Sequence, residues 1–341
     1  MENTSILVIY TGGTIGMIKD ENSGALIPFN FENIYEQVPI LKNFDYQLDF
    51  HCFDPILDSS DMSPQNWVKI AEVIEANYEN YDGFVILHGS DTMAYTASAL
   101  SFMLENLNKP VIITGSQLPL GVLRTDGRDN FITAIEIAAA TIDETPVVPE
   151  VCIYFENKLM RGNRTMKYNA ENFNAFVSGN APELATVGVY IRYNHNEILK
   201  PKFKKLKVHK NLDQNMGILK IFPGITENFV RSVLATSGLK AIIIESFGSG
   251  NAPTYPWFLN LLKETIKKGV IILNISQCIA GAVDQGKYET SARLNEIGVI
   301  GGRDMTTEAA VTKLMYLFGR YADRTTIIKL LQRSLCGEMT K

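Results

Sequence analysis

Short, continuous apolar runs rich in β-branched residues alternate along this chain with longer segments of helical periodicity. This alternation limits the possible folds more than any other feature of the sequence. Continuous apolar runs, unlike runs that alternate with polar residues, are typical of strands in a parallel sheet that is covered on both faces. The N-terminal half contains four of them: Ser5–Tyr10, Phe84–Leu87, Val111–Thr114 and Val151–Phe155.

Between these runs the apolar residues recur every three or four positions, which predicts helices. One helix is expected around Trp67, with Pro64 in its first turn, a second from Asp91 to about Leu107, and a third after Asp129. Strands that alternate with helices predict βαβ units. The alternation resumes further along the chain, with strands at Ala241–Ile244 and Val270–Leu273 and helices at Glu227–Ser237, Pro256–Lys268 and Thr306–Phe318.

A lysine-rich segment separates the two series of elements. The stretch from Lys200 to Lys210 holds six lysines and no acidic residue, and we interpret it as a solvated linker with some strand character rather than a polyanion site. The predicted fold class is therefore α/β, with a larger N-terminal doubly wound parallel-sheet domain and a smaller C-terminal α/β domain. The expected boundaries are 1–192 for the first domain, 193–212 for the linker and 213–341 for the second domain.

Charge and composition exclude several classes of function. The chain has 37 acidic and 32 basic residues and a net charge of −5, whereas duplex-binding proteins are usually basic, so no nucleic-acid partner is expected. No window approaches the ~20 apolar residues of a membrane helix, and the first residues lack the features of a signal peptide. We therefore predict a cytoplasmic protein in which the cysteines are buried thiols, neither bridged nor metal-bound: Cys52, Cys152, Cys278 and Cys336.

The polar residues that directly follow the predicted strands are candidates for a site, because ligands bind beyond the carboxyl ends of parallel strands. The segment Thr11-Gly-Gly-Thr-Ile-Gly16 follows the first strand. Its paired glycines permit close approach of the backbone to a ligand, and Thr14 adds a hydroxyl. The segment lacks the lysine of a P-loop and the spacing of a dinucleotide fingerprint. The segment is therefore interpreted either as a tight turn or as a functional loop.

A second candidate segment, His88-Gly-Ser-Asp-Thr-Met93, follows the strand Phe84–Leu87. Gly89 permits a sharp turn, and Ser90 and Asp91 fall at the predicted start of a helix, where backbone N–H groups favour anions. Taken alone, either residue is equally well explained as an N-cap. His88 is expected to be a packed core histidine.

Two further polar segments complete the set. The run Asp58-Ser-Ser-Asp-Met62 has side chains able to hold a carboxylate and an ammonium group, or to form no more than an Asx-turn. The segment Arg161-Gly-Asn-Arg-Thr-Met-Lys167 ends in a lysine, which beside a carboxylate and a hydroxyl is able to move a proton. Taken alone, Lys167 is a solvated surface charge.

Together these residues predict nucleophilic chemistry on an amide. Thr14 and Ser90 supply hydroxyls at the ends of two separate strands, and Lys167 with Asp91 would form a proton relay to the second. The sequence contains no plausible Ser-His-Asp set, metal-ligand spacing or G-x-S-x-G elbow, so no metal is expected. A hydroxyl, a lysine and an aspartate suit attack on an amide carbonyl with ammonia as the leaving group.

The motifs beginning at Thr11, His88 and Arg161 together resemble those of the bacterial L-asparaginase family, specifically its cytoplasmic type I branch. The similarity extends over nearly the whole chain and includes Val111-Ile-Ile-Thr-Gly-Ser-Gln117 and Gly250-Asn-Ala-Pro253. The resemblance implies an enzyme that converts L-asparagine and water to L-aspartate and ammonia without a cofactor. It also implies a homodimer or homotetramer.

The resemblance further implies roles for individual residues. Thr14 would be the nucleophile that forms an acyl-enzyme ester. Lys167, held in place by Asp91, would take a proton from Ser90. Asp91 would also pair with the substrate α-ammonium group. Asn251 would reach into the site of a neighbouring subunit. The substrate would be bound by Asp58, Ser59, Ser60, Gly89 and the backbone of Ser116, which would face the side-chain amide.

Two positions depart from the family pattern. Ser90 stands where the family usually has threonine. Serine keeps the hydroxyl but lacks the methyl group that restricts χ1. The family often has a tyrosine in the loop after the first motif, whereas the segment Gly24-Ala-Leu-Ile-Pro28 has none. Tyr10, before that motif, is expected in the core.

Other functions remain as alternatives. A glutaminase-asparaginase of broader specificity is the closest, because glutamine is one methylene longer and an apolar pocket discriminates such a difference by only ~1–3 kcal/mol. A second alternative is an amidotransferase that acts on a tRNA-linked acyl group. The short segment before the first strand argues against this alternative. A different class is a non-catalytic nucleotide- or effector-binding protein that uses the glycine turns.

Overall fold

The computed structural model describes residues 4–19, 26–28, 34–286 and 289–341. The chain divides into two compact units between Lys210 and Asn211, a point inside the segment predicted as a linker. Each unit has its own parallel strands and its own hydrophobic core. The predicted α/β class, with a larger N-terminal and a smaller C-terminal domain, is confirmed.

The first unit is built on an eight-stranded sheet with the order β8-β7-β6-β5-β4-β3-β1-β2. The five strands from β2 to β5 in this order are parallel, and β6, β7 and β8 are added antiparallel at one edge. The sheet is thus mixed, with a parallel part where the sequence predicts it. Its strands are β1 (Ser5–Gly12), β2 (Gln47–Leu57), β3 (Gly83–Leu87), β4 (Val111–Thr114), β5 (Val151–Phe155), β6 (Lys158–Arg161), β7 (Ala185–Val187) and β8 (Ile191–Tyr193).

In the described part of the first unit, three longer helices accompany this sheet: α1 (Pro64–Asn77), α2 (Met93–Met103) and α3 (Gly127–Ala139). Helix α3 packs Phe131 and Ile135 into one core cluster with Val8, Val85 and Ile112 of the central strands. Alternate residues of those strands point to the opposite face of the sheet. The continuous apolar character of β1 and β3 therefore reflects burial on both sides.

Helix α2 is shorter than the predicted span of Asp91–Leu107. After Met103 the chain forms a two-residue strand, Leu104–Glu105, which pairs antiparallel with Lys207–Val208 of the lysine-rich segment. Asn106 then has φ 64°, a left-handed conformation that ends a helix and that Asn adopts more readily than most residues. The strand character expected of the lysine-rich segment is confirmed at Lys207–Val208.

Shorter elements connect the main ones of the first unit. They are the helical turns Thr14–Gly16, Ile34–Gln37, Pro39–Asn43, Ser59–Asp61 and Gly162–Arg164, and the paired strands Met17–Lys19 with Leu26–Pro28, Thr141–Ile142 with Thr145–Pro146, and Met166–Lys167 with Phe176–Val177.

The second unit contains a four-stranded parallel sheet with the order β9-β10-β11-β12. Its core joins Ile242 and Ile272 of the two central strands to Val230 and Phe258 of two helices. In the described part of the chain no helix is both long and apolar enough to cross a membrane. The elements are β9 (Met216–Lys220), α4 (Glu227–Leu234), β10 (Ala241–Ser246), α5 (Pro256–Lys267), β11 (Ile271–Ser276), α6 (Glu289–Glu296), β12 (Ile300–Gly301), α7 (Thr307–Arg320) and α8 (Arg324–Leu331).

The cysteines differ in part from the expectation of buried thiols. Cys152 on β5 is buried and Cys336 is half-buried, but Cys52 and Cys278 are exposed. Cys52 lies on the edge strand β2, which has the sheet on one side only, and Cys278 follows the end of β11. The prediction of burial is therefore wrong for these two, because both stand at positions that continuous apolar strands do not cover.

The order of strands creates a topological switch point between β1 and β3. From β1 the chain runs to β2 on one side, whereas from β3 it runs through α2 to β4 on the other side. Connections that leave neighbouring strands in opposite directions open a crevice at the carboxyl ends of those strands, where ligands bind in α/β proteins. This crevice is where the segments after β1 and β3 lie.

Candidate active site

Two glycine turns come into contact at the carboxyl ends of β1 and β3. Gly13 has φ 93°, and a Cβ atom at this position would lie 2.4 Å from the backbone nitrogen of Gly89. The Thr11 hydroxyl donates to the carbonyl oxygen of Leu87 over 3.0 Å and ties the two strand ends together. Since Thr14 directly follows Gly13 and Ser90 directly follows Gly89, the fold brings the backbone segments that carry the two predicted hydroxyls together.

Thr14 begins the helical turn after β1 and is half-buried. The Tyr10 hydroxyl donates to the carbonyl oxygen of Gly16 over 3.1 Å and so holds the far end of this turn. Tyr10 is fully buried, which confirms its expected place in the core, and burial raises the pKa of its phenol. The segment Gly24–Pro28 has no tyrosine corresponding to the loop tyrosine of the family. Its first two positions lie outside the described residues.

Lys167 contacts both Ser90 and Asp91. Its Nζ lies 2.8 Å from Ser90 Oγ and 2.7 Å from Asp91 Oδ1. The lysine side chain is 17% exposed and that of Asp91 is 65% exposed, so the pair extends from a covered position to the surface. The N-cap of α2 is Thr92, without a side-chain cap bond. The structure therefore separates the two interpretations of Asp91: its carboxylate accepts from an ammonium group instead of capping the helix.

The turn Gly162–Arg164 delivers Lys167 to the start of α2. A Cβ at Gly162 would lie 2.9 Å from the Cβ of Ala97 on that helix and 3.0 Å from the carbonyl oxygen of Val151. A larger residue would separate the turn from both. The Thr165 hydroxyl donates to the carbonyl oxygen of Arg161 over 2.7 Å, which closes the turn before Met166–Lys167 pairs with Phe176–Val177.

Ser59 lies against Gly89, whereas its neighbours in the predicted substrate-binding segment are turned outward. A Cβ at Gly89 would be 2.5 Å from Ser59 Oγ, and the Thr92 hydroxyl donates to the Ser59 carbonyl over 2.6 Å. The exposed Asp58 accepts from the backbone N–H and the hydroxyl of Ser60, at 2.8 and 2.9 Å. These bonds lower the pKa of Asp58, the backbone bond most. The Asx-turn is thus present, and it places Ser59 beside the glycine turn.

Ser116 belongs to a loop that Asp126 holds through backbone bonds. The Ser116 hydroxyl donates to the Leu118 carbonyl over 2.5 Å, so this side chain is engaged within its own loop. The Asp126 carboxylate accepts from the backbone N–H groups of Gln117 and Leu118, each at 3.1 Å. Asn130 adds a bond to the Gly115 carbonyl over 2.9 Å.

Gln117 is a site neighbour that sequence reasoning did not select. Its Oε1 lies 3.5 Å from Ser90 Oγ, and its Nε2 donates to the carbonyl oxygens of Ala170 and Asn172 at 3.3 and 3.0 Å. Gln117 thus connects Ser90 with the segment that follows Lys167. The sequence signal that points to Gln117 is its position next to Ser116, shortly after the end of β4.

Asn251 lies in the second unit. It pairs with Phe247 through two backbone hydrogen bonds of 2.9 Å in the segment after β10. Among the described residues no group of three or more His, Cys, Asp or Glu side chains is close enough to hold a metal ion.

The arrangement is suited to proton movement at a hydroxyl. An ammonium group between a serine hydroxyl and a carboxylate fixes the orientation of all three groups. The turn that carries Thr14 lies beside this set, because Gly13 contacts the backbone of Gly89. These are the elements of nucleophilic acyl transfer, a hydroxyl and a nearby group that handles its proton.

Comparison with known proteins gives matches over both units. The family model described as "Asparaginase, N-terminal" matches residues 5–199, and the model described as "Glutaminase/Asparaginase C-terminal domain" matches residues 215–331. The protein named L-asparaginase 1 of Escherichia coli K12 is 45% identical over 344 residues, which cover 100% of this chain and 99% of that protein. A mouse protein named 60 kDa lysophospholipase is 41% identical, covering 98% of this chain and 62% of its own length.

The solved structures agree with the sequence comparison. The crystal structure of L-asparaginase I from Vibrio cholerae has a TM-score of 0.89 and 43% sequence identity, and the match covers 99% of this chain and 100% of that one. The thermostable L-asparaginase from Thermococcus kodakarensis has a TM-score of 0.90 and 32% identity over 99% of this chain. The chain whose glycine turns and lysine-centred cluster are described above belongs to the asparaginase family.

Proposed function

We propose that this chain hydrolyses L-asparagine to L-aspartate and ammonia. The observation that carries the proposal is the position of Lys167 Nζ, within 2.8 Å of Ser90 Oγ and 2.7 Å of Asp91 Oδ1, beside the turn that presents Thr14. Membership of the asparaginase family and the names of its relatives support the choice of substrate.

In the first half-reaction the Thr14 hydroxyl oxygen attacks the carbonyl carbon of the substrate side-chain amide. The hydroxyl proton is passed on, and the leaving nitrogen gains a proton as the C–N bond breaks, so that ammonia departs and an ester joins the substrate to Thr14. Lys167, as the free amine, takes this proton through the Ser90 hydroxyl and becomes an ammonium group that Asp91 holds in place, and it then gives the proton to the leaving nitrogen.

In the second half-reaction a water molecule attacks the ester carbonyl. The same relay accepts the proton of the water, the ester C–O bond breaks, and Thr14 regains its hydroxyl proton as aspartate leaves. The enzyme returns to its starting protonation state, so the two steps together consume one water and release one ammonia. This use of one relay in both directions follows from the similarity of the two acyl-transfer steps.

The substrate's charged groups are assigned to the residues around this relay. Asp91, exposed at the edge of the crevice, pairs with the α-ammonium group, and Asp58, Ser59 and Ser60 bind the α-carboxylate and α-ammonium. The side-chain amide faces the backbone at Ser116. The bond between the Ser116 hydroxyl and the Leu118 carbonyl supports a role for backbone rather than side chain at this position.

Ammonia release from asparagine tests the proposal directly. We expect Thr14→Ala, Ser90→Ala and Lys167→Met each to lower kcat by ~100-fold or more, because each removes the nucleophile or a member of the relay. Ser90→Thr, unlike Ser90→Ala, keeps a hydroxyl at this position and is expected to keep near-native turnover. Thr186→Ala, at an exposed position on β7, is the matched control for the loss of a threonine hydroxyl. Near-native kcat in Thr14→Ala would refute its role as nucleophile.

The same assay with glutamine distinguishes a broader glutaminase-asparaginase. The family model that matches the second unit carries both activities in its description, which is the reason to measure both substrates. A kcat/KM for glutamine within tenfold of that for asparagine would replace the narrower proposal. Thermal stabilisation by a nucleotide without ammonia release would instead favour the non-catalytic alternative.

We further propose that the protein is a cytoplasmic homodimer or homotetramer in which Asn251 of one subunit completes the site of another. The resemblance to the type I branch supports this assignment, and the place of Asn251 in the second unit, away in sequence from Thr14, Ser90 and Lys167, is compatible with it.

A further inference from the structure

A buried histidine stands directly beside the proposed relay without a role in it. His88 follows β3 and precedes Gly89, and its side chain is fully buried. Its Nδ1 lies 2.6 Å from the carbonyl oxygen of Gly89. Its Nε2 lies 2.8 Å from the hydroxyl of Thr96 on α2. Both ring nitrogens are therefore engaged inside the protein, and the ring has no open position toward a substrate.

The directions of these hydrogen bonds are fixed by chemistry. A carbonyl oxygen only accepts, so His88 Nδ1 carries the hydrogen that is shared with Gly89. The indole nitrogen of Trp67 only donates, and it lies 3.0 Å from the Thr96 hydroxyl oxygen. Burial lowers the pKa of His88 to about 4, so the ring is neutral at pH 7 and Nε2 accepts from Thr96. The chain of donors thus runs from Trp67 through Thr96 and His88 to Gly89.

This chain of bonds determines the orientation of the peptide between Gly89 and Ser90. Among the described residues the cis peptide is Asp54–Pro55, so the Gly89–Ser90 peptide is trans, with its C=O and N–H pointing in opposite directions. Because the carbonyl is directed at the buried imidazole, the Ser90 N–H points away from the ring. In the described part of the chain no acceptor pairs with this N–H.

We propose that His88 is a positioning residue for the proposed amide hydrolysis: as the Nδ1–H tautomer, held by Thr96 and Trp67, it fixes the Gly89–Ser90 peptide and thereby the Ser90 hydroxyl beside Lys167. The inference rests on the proposed function. Rotation of this peptide would move Ser90 Oγ from its 2.8 Å contact with Lys167 and turn the backbone N–H into the interior. A displacement of about 1 Å in such a set costs up to ~100-fold in rate.

Two substitutions of His88 separate positioning from mere packing. The amide nitrogen of Asn reaches the place of Nδ1 and donates there, whereas the amide oxygen of Gln reaches the place of Nε2 and accepts there, as Nε2 does. His88→Asn therefore keeps a donor for the Gly89 carbonyl and loses the bond to Thr96, and His88→Gln does the reverse. Both replace the ring by a smaller neutral amide, so both leave comparable unfilled space.

The measurement is kcat and KM for asparagine in both variants, with thermal unfolding as the measure of stability. We expect His88→Asn to keep kcat within ~3-fold of the native value, and His88→Gln to lower kcat by ~30-fold or more at a KM within ~3-fold, because alignment acts on the transition state more than on substrate binding. Equal losses of kcat in the two variants, in proportion to their losses of stability, would overturn the positioning role.

A second pair at Thr96 decides the question if the His88 variants do not fold. Thr96→Val removes the hydroxyl that keeps the hydrogen of the His88 ring on Nδ1, a requirement that the Asn amide of His88→Asn does not have. Thr96→Ser keeps this hydroxyl with one methyl group fewer. The proposal requires that kcat fall by ~5-fold or more in Thr96→Val and recover in Thr96→Ser, since one buried hydrogen bond is worth about a tenfold change in an equilibrium. Unchanged kcat in Thr96→Val would overturn it.

The native protein in the same assay distinguishes the failure of this inference from that of the proposed function. If the native protein releases no ammonia from asparagine or glutamine, the amide hydrolysis and the positioning role are both refuted. If native turnover is present and the two members of each pair behave alike, the positioning role alone is refuted.

Discussion

At the scale of single residues, the sequence identified groups and the structure decided between their interpretations. Ser90 and Asp91 precede a helix, where short polar side chains most often serve as N-caps. The structure gives the N-cap position to Thr92 and pairs Asp91 with Lys167 over 2.7 Å. Lys167 is 76 positions away in sequence from Asp91, so no local pattern predicts this contact, and only the combined chemistry of a lysine, a carboxylate and a hydroxyl, together with the resemblance, suggested it.

His88 makes the stability of the first unit depend on pH. Its pKa is lowered from 6.5 to about 4 in the folded state, mainly by burial, so between these values the unfolded chain binds a proton that the folded chain does not. Its contribution to stability is complete above pH 6.5 and is lost as the pH falls toward 4. We expect unfolding at pH 5 to cost ~2 kcal/mol less than at pH 7.5 on account of this one group.

Urea unfolding of the native protein and of His88→Asn at both pH values measures this contribution, since the variant lacks the titrating ring but keeps the other ionisable groups. Trp67 and Trp257 are the two tryptophans of the chain, so a Trp257→Phe background makes fluorescence report the first unit. The same loss of stability in both proteins between pH 7.5 and 5 would contradict the assignment.

At the scale of elements, the buried parallel strands and the longer helices were predictable, and the short antiparallel strands were not. Strands β4 and β5 have the predicted bounds because continuous apolar runs end where burial ends. Strands β7 and β8 have three residues each, with burial that varies along them, so they carry no periodicity to detect. The end of α2 was misjudged because pairing of Leu104–Glu105 with Lys207–Val208, about a hundred positions later, replaces the last helical turn.

The geometry of the turn at Gly13 tolerates substitution poorly. Its φ of 93° and ψ of 169° fall in a region that is essentially restricted to glycine and costs other residues ~1–3 kcal/mol. An added Cβ would also lie 2.4 Å from backbone of Gly89, which has no side chain to move away. We expect Gly13→Ala to lower kcat for asparagine by ~100-fold, because it separates the segments that carry Thr14 and Ser90.

Gly188 offers the matched control for this substitution. It lies between β7 and β8 outside the positive-φ region, and nothing lies within 4 Å of an added Cβ. Gly188→Ala is expected to change the free energy of unfolding by no more than ~0.5 kcal/mol, as is usual for surface positions, and to leave kcat unchanged. Equal activity of the Gly13→Ala and Gly188→Ala proteins would show that close contact of the two turns is not needed for turnover.

At the scale of the whole molecule, the sequence predicts the class of fold and the number of domains but not the order of strands. The switch point arises because β1 lies between β2 and β3 in the sheet. Apolar runs specify burial on both faces and leave lateral order open. The same sequence pattern with β1 at an edge would leave no crevice between the segments of Thr14 and Ser90. The site therefore depends on a property of the whole sheet that no single motif contains.

The proposed exchange of Asn251 between subunits is also a property of the whole assembly, and mixing two inactive proteins tests it. In a two-fold symmetric pair each subunit gives to its partner what it receives. If Asn251 acts across the interface, a hybrid of Thr14→Ala and Asn251→Ala subunits has one site with both defects and one native site. Random reassociation of equal amounts makes half of the pairs hybrid, so ~25% of native turnover is expected.

The measurement is ammonia release after the two variants are unfolded together, refolded and compared with each variant refolded alone. If Asn251 acted within its own chain, each site of the hybrid would carry one defect and no activity would return. Full activity of Asn251→Ala by itself would exclude this residue from the site altogether. Activity returns only if Thr14 and Asn251 of one site come from different chains. The mixing experiment therefore tests the contribution of Asn251 to a neighbouring subunit more directly than a measurement of oligomer size does.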